Sequence, residues 1–257
     1  MTKTLPSLPP EWARQTRLLI GFPSDGELWE ENLEPAQAEV AAFANAVLSG
    51  GAEGGASAAA VTLVVYGEAA EKAARELSPD ADILNTPMGD TWLRDTGPLF
   101  SHVNDRLTAR RFQFNGWGEK YLFEPDKDIA VRLAADQSAE LEEFPFVLEG
   151  GSVDWDNNGW LLTTEECLLN PNRNKDWDRE TAEAALQAAL GVSEIIWISE
   201  GLVNDHTDGH IDNLARFVGP GHVVCQSPTG DDDPNADRLR AIAEELRSWR
   251  SSDGSAL

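Results

Sequence analysis

Between Gly150 and Ser199 the chain spells out a hairpin, a helix and a strand in that order, and this restricts the folds open to it. "GGSVDWDNNGWLLTT" holds two β-type segments around Asn157, Asn158 and Gly159, residue types that tolerate positive φ in a tight turn. "DRETAEAALQAALG" follows, with Asp178 as the expected N-cap and Gly191 just past the helix end. "EIIWIS" then reads as a strand. Such a unit belongs to a mixed α/β chain.

The remaining segments extend the pattern. "LLIGF", "VTLVVYG", "ADILNTP", "GPLFSHV", "ARRFQFNGW", "NLARFVG" and "HVVCQ" read as strands. "NLEPAQAEVAAFANAVLSGG" has near-helical apolar spacing and stops at Gly50 and Gly51. "EAAEKAAREL", "DKDIAVRLAA" and "DPNADRLRAIAEELRSW" read as further helices, the last with Pro234 near its start. "SGGAEGGASAAA" is expected to be a flexible loop. No strict repeat and no internal linker interrupts the chain, so residues 1–257 read as a single domain.

Charge narrows the partners. Twenty basic residues face 45 acidic ones, a net charge of -25. Such a surface repels nucleic acid and anionic membranes, and it favours a small cationic ligand or simply solubility. The two cysteines, Cys167 and Cys225, make no disulfide framework. No apolar run spans a membrane, and "MTKTLPSLPPEWARQ" lacks a signal-peptide core, so a cytoplasmic protein is expected.

Four polar clusters could carry chemistry. "GDTWLRDTGP" sets Trp92 beside Asp90, Arg94 and Asp95; an aromatic next to a carboxylate suits a flat cation, and an Arg–Asp pair in a turn suits it equally. "FNGWGEKY" offers Asn115 and Trp117 as pocket residues or as a hairpin corner with a packed tryptophan. "LEGGS" puts Glu149 after an apolar run and before two glycines. "VNDHTDGHIDNLARF" carries His206, Asp208, His210 and Asp212. His206, His210 and Asp212 have the spacing of a metal set, although Gly209 argues against a helix holding both histidines on one face. The other chemical reading makes His210 an acid–base group and Asp212 a cation-holding carboxylate.

"DTWLRDTGP", "FNGWGEKY", "LEGGS", "LLTTEECLLNPNRN" and "NDHTDGHIDNLARF", in this order, together resemble the agmatine deiminase family of guanidino-group-modifying enzymes. The resemblance implies a pentein-type α/β propeller of ββαβ modules around a funnel. It implies hydrolysis of agmatine to N-carbamoylputrescine and ammonia, in polyamine synthesis, with no metal or other cofactor. In that chemistry a cysteine thiolate attacks the guanidinium carbon, and a histidine protonates the departing ammonia and then activates water. By motif position, His210 matches the acid–base group and Glu149 the acidic residue supporting it. Asp95 and Asp212 match the carboxylates holding the guanidinium. Trp92 matches a pocket wall, and Asp208 a partner for the substrate's distal ammonium.

The family's nucleophile lies in a motif resembling Gly-Gly-Gly-x-x-His-Cys, and these 257 residues contain none. Cys167 falls in a segment where the family's cysteine is not the nucleophile, and Cys225 alternates like a core residue. The expectation is therefore a chain lacking the last module, inactive as it stands, and either unstable or self-associating, as a homo-oligomer, through uncovered strand edges. The alternatives are a guanidinium- or polyamine-binding protein without turnover, a peptidyl-arginine deiminase-like enzyme, and a metal hydrolase using His206, His210 and Asp212.

Overall fold

The computed structural model describes residues 8–50 and 59–257. The loop expected over "SGGAEGGASAAA" falls largely outside the described residues, as does the beginning of the N-terminal segment. Backbone contacts divide the chain into two compact units. The smaller is Arg14–Gly97 with Phe123–Gln137; the larger holds Pro98–Leu122 and Ser138–Leu257, with the described residues up to Ala13.

The smaller unit is built on three parallel strands, β1 (Arg17–Gly21), β2 (Ala60–Val65) and β3 (Asp82–Asn85), in the order β1-β2-β3. Helices Leu33–Leu48 and Glu68–Leu77 make the crossovers. Side chains alternate across a strand, so Val61, Leu63 and Val65 of β2 meet Phe22, Ala41, Ala44, Ala70 and Ala74 on one face. Val64 faces the other way, against Met88 and against Ile129 and Leu133 of helix Asp126–Asp136. Both faces being covered, β2 is apolar but for Thr62, whose hydroxyl accepts from Arg17 at 2.6 Å, as strands of buried parallel sheets largely are.

The larger unit holds three sheets. Strands β4 (Leu99–Val103) and β5 (Arg106–Gln113) form a hairpin, and β6 (Glu140–Val147) runs parallel to β5. Strands β7 (Val153–Trp155) and β8 (Trp160–Thr164) form the expected hairpin, with Gly159 at φ +89°, and β9 (Glu194–Ile198) runs parallel to β8. Strands β10 (Ala215–Gly219) and β11 (His222–Cys225) pair antiparallel and precede helix Ala236–Ser248. Two stretches thus follow the ββαβ order, and the chain is α/β with no closed barrel among the described residues. Helix Arg179–Leu190 begins where expected: Asp178 accepts the Thr181 N–H at 2.9 Å, and Gly191 ends it in the left-handed region at φ 72°. Leu161 and Val153 pack on Leu186 and Leu190 of that helix in one core, while Leu162, Ile196 and Ile198 meet Leu239, Ile242 and Leu246 in another. No helix among the described residues is long and apolar enough to cross a membrane.

Three expectations need correction. Strand β6 has no counterpart among the expected segments; its "ELEEFPFV" opens on acids and closes on two phenylalanines around Pro145, which an edge strand accommodates. The strand expected through "ARRFQFNGW" ends at Gln113, because Trp117 and Gly118 take left-handed φ values of 54° and 76° in a tight turn. Cys225 is exposed rather than a core residue, because it ends β11 and only β10 pairs with that strand among the described residues.

The end of β1 is held by close approach. A Cβ at Gly21 would lie 2.4 Å from the Thr91 carbonyl oxygen, inside the loop that leads to Trp92 and Asp95. Gly21→Ala should therefore lower stability by about 1–3 kcal/mol in urea unfolding. Gly26→Ala, whose Cβ meets nothing nearer than 3.9 Å, should leave the midpoint unchanged or raise it. Equal midpoints for Gly21→Ala and the parent would show that this contact gives way freely.

Candidate active site

Strand ends and tight turns of the larger unit bring three polar groups together out of water. Glu149 follows β6, where Ser152 Oγ donates to its carbonyl at 2.6 Å, and it has no solvent exposure. Cys167 sits in the single helical turn Glu165–Leu168, capped by Thr164, whose Oγ1 accepts the Cys167 N–H at 3.2 Å. The same Thr164 hydroxyl donates to the Gly209 carbonyl at 2.6 Å, tying that turn to the residue before His210. His210 is 1% exposed. A Glu149 carboxylate oxygen, the Cys167 Sγ and a His210 ring nitrogen all lie within 4.8 Å of one another.

"NPNRN" frames this cluster. Arg173 is wholly buried and forks three ways: Nε donates to Glu149 Oε1 at 2.7 Å, Nη1 to Asp208 Oδ2 at 2.6 Å, and Nη2 to the Thr207 carbonyl at 2.9 Å. Asn172 Nδ2 also donates to Asp208 Oδ2, at 3.0 Å. Asn174 bonds Val147 both ways, accepting its N–H at 3.0 Å and donating to its carbonyl at 2.9 Å, which fixes the strand end before Glu149. Burial alone would lower the Arg173 pKa, but the charges of Glu149 and of Cys167 as thiolate, with the Asp208 and Glu149 hydrogen bonds, raise it above the usual arginine value.

The loop carrying His210 is closed at its base. A Cβ at Gly201 would fall 2.2 Å from Gly209 Cα, and Gly209 has φ +85°. Gly201 is pinned from both sides: its N–H donates to Glu166 Oε2 at 2.7 Å and its carbonyl accepts from Arg238 Nη1 at 2.8 Å. Inside the loop, Asp205 accepts the Thr207 N–H and hydroxyl and the Gly209 N–H. Burial pushes the Asp205 carboxyl up, yet the Thr207 bonds and the neighbouring His210 charge outweigh it and hold the pKa low. Asp208 is likewise lowered, because Lys120, Asn172 and Arg173 outweigh its burial. Lys120 Nζ also donates to the His206 carbonyl at 2.9 Å, and the exposed His206 ring stacks on Tyr121 at 5.9 Å.

The expected residues are therefore sorted as follows. His210 and Glu149 come together. Asp208 stands at the edge of the cluster, its oxygens engaged by Lys120, Asn172 and Arg173. Asp212 is half-buried in the turn Ile211–Asn213, directly after His210. Asn115 braces rather than lines a pocket, donating to the Asn172 carbonyl at 2.8 Å, and Trp117 is packed edge-on against Phe114. The ligand-type groups that converge among the described residues are Glu149, Cys167 and His210, not the set His206, His210 and Asp212. Cys167, expected not to be the nucleophile, lies beside Glu149 and His210. Arg173 was missed altogether; the signal for it was an arginine flanked by asparagines in a segment read only for its resemblance.

Trp92 and Asp95 belong to the smaller unit. Trp92 is 57% exposed, with Nε1 donating to Asp90 Oδ2 at 2.9 Å, and Asp95 is half-buried in the turn Leu93–Thr96. The loop before them is anchored by Asp126, whose Oδ1 accepts the Gly89 N–H at 2.7 Å. Burial raises the Asp126 carboxyl to about 6; the Gly89 bond opposes this and the Asp90 charge adds to it.

A model of the Porphyromonas-type peptidyl-arginine deiminase family matches residues 7–257. The agmatine deiminase of Pseudomonas fluorescens strain Pf-5 is 37% identical over 96% of this chain and 67% of its own length. That of Stutzerimonas stutzeri is 38% identical over 97% of this chain and 68% of its own. The solved agmatine deiminase of Enterococcus faecalis superposes with a TM-score of 0.88 at 26% identity, covering 100% of this chain and 72% of that one. A C. jejuni agmatine deiminase with substrate bound, carrying a cysteine-to-serine substitution, gives 0.84 at 29% identity, covering 98% and 72%.

Asp126 makes stability depend on pH in a stated direction. Its folded pKa lies above the ordinary aspartate value near 4, so the folded chain binds the proton more tightly. The contribution is fully present below about pH 4 and is lost as the pH rises through about 6, a swing of roughly 3 kcal/mol. Asp126→Asn keeps an acceptor for Gly89 and should remove that loss. Urea unfolding at pH 4 and pH 7 checks it: the variant should be the more stable of the two only at the higher pH.

Proposed function

The chain belongs to the Porphyromonas-type peptidyl-arginine deiminase family, and from that membership we propose that it is an agmatine deiminase-type fold that binds a cationic guanidino compound. The convergence of His210 with Glu149 in a buried cluster carries this reading, because acid–base work on a guanidinium needs a histidine oriented by a carboxylate. In the full reaction a C–N bond of the guanidino group is hydrolysed, and agmatine yields N-carbamoylputrescine and ammonia. His210 is the acid–base group and Glu149 its supporting carboxylate. Asp95 and Asp212 hold the guanidinium by charge-assisted hydrogen bonds that keep it cationic and its carbon electrophilic. Trp92 offers an exposed ring to the flat cation. Asp208 is better read as a bracket than as a contact for the substrate's ammonium, since three donors already hold it. The net charge of -25 suits a dicationic ligand, and a cytoplasmic setting suits cysteines kept in the reduced state.

The Gly-Gly-Gly-x-x-His-Cys motif is not among these 257 residues. On their own they are proposed to bind without turnover. Titration calorimetry with agmatine should give saturable heat, and an ammonia assay on the same sample should stay at background. Asp95→Asn and Asp212→Asn should each weaken binding about 10- to 100-fold, the worth of one charge-assisted hydrogen bond. An arginine-containing peptide that binds more tightly than agmatine would move the substrate class to peptidyl-arginine. Ammonia release at the rates of the full-length relatives would sink the no-turnover reading, and its loss in Cys167→Ser would name Cys167 as the nucleophile.

A further inference from the structure

Arg173 is wholly buried and bonds the two parts of the chain that supply the acid–base pair. On one side it holds Glu149, at the end of the strand segment from β6. On the other it holds Asp208 and the Thr207 carbonyl, in the loop that ends at His210. Burying a carboxylate such as Glu149 disfavours its charged form unless a cation and hydrogen bonds compensate. Arg173 Nε supplies both at 2.7 Å. The planar fork matters, since three acceptors in three directions suit a guanidinium and not an ammonium.

We propose that Arg173 is a positioning residue for the acid–base pair: its buried guanidinium keeps Glu149 as a carboxylate beside His210 and sets the distance between them. The charged and titratable groups facing this assembly include Cys167 and Asp205 around His210, with Asp212 two residues on, and Asp208, itself bonded to Lys120, around Arg173. Of these, Asp208 already has two further donors, Lys120 and Asn172. Glu149 is the carboxylate that Arg173 Nε meets directly, with both side chains out of water. The inference rests on the acid–base reading of His210 and Glu149 for its meaning in catalysis. Its test needs no turnover, so a failure of that reading would be visible separately, as missing agmatine binding.

Infrared difference spectra of the purified chain at neutral pH test it. Arg173→Gln should show a carboxylic-acid C=O band in excess of the parent, reporting a proton taken up by Glu149. The band should vanish in the double variant Glu149→Gln/Arg173→Gln. Arg173→Lys, which keeps the charge and loses the fork, should show no band although it melts at a lower temperature than the parent. A folded Arg173→Gln chain without the band would overturn the proposal, and so would a band that survives in the double variant, which would place the proton on Asp208. Should Arg173→Gln fail to fold, Arg173→Lys decides: a band there, with the positive charge retained, overturns the proposal.

Discussion

A guanidinium shut away from water governs the larger unit. Replacing both partners of a buried ion pair can be harmless, but removing one strands the other's charge, typically at about 3–5 kcal/mol. Arg173 is in that position with Glu149, and the rest of its fork serves Asp208 and the Thr207 carbonyl. Its neighbours in "NPNRN" complete the frame, Asn174 closing on Val147 and Asn172 on Asp208. Asn115 ties the "FNGWGEKY" turn to the same frame, and its Gly118 is required there because a Cβ would reach within 2.6 Å of Arg173 Nη1. Segments far apart in sequence are thus specified by one side chain.

The secondary structure of this chain was legible wherever local chemistry decided it. The β7–β8 turn, the Asp178 cap and the Gly191 stop depend on residues within a few positions of one another, and each formed as the sequence suggests. Strand β6 was hidden because its evidence is not local. Glu140, Glu142 and Glu143 look like a solvated acidic run until Arg106, Arg110 and Arg111 of β5 come alongside them. Arg110 illustrates the cost of that pairing: burial lowers its pKa and the Glu142 charge opposes the shift. The pairing of His210 with Glu149 was suggested only by resemblance, since 60 residues of chain separate them. Cys167 and Arg173 were invisible as neighbours of that pair, because a cysteine and an arginine in a turn carry no mark of where the turn will dock.

The acidic excess and the buried cations are linked. With 45 acidic and 20 basic residues, an exposed arginine pairs easily, and such pairs contribute about 0–1 kcal/mol. The consequential cations are the few taken out of water, Arg110 within its sheet and Arg173 at the cluster. A chain this acidic spends little of its stability on surface pairing, while its buried cations decide which carboxylates can remain ionised in the interior.

The meeting of Gly201 with Gly209 bears on how natural variation in this chain is to be judged. Neither glycine offers a functional group, and a change to alanine would ordinarily be scored as conservative. Here a methyl on Gly201 would meet the Gly209 Cα at 2.2 Å, with the Glu166 and Arg238 bonds holding Gly201 in place, and one on Gly209 would sit on backbone at φ +85° that side chains rarely adopt. An allele altered at either glycine is therefore to be judged by the loop it holds closed and not by the size of the side chain it gains.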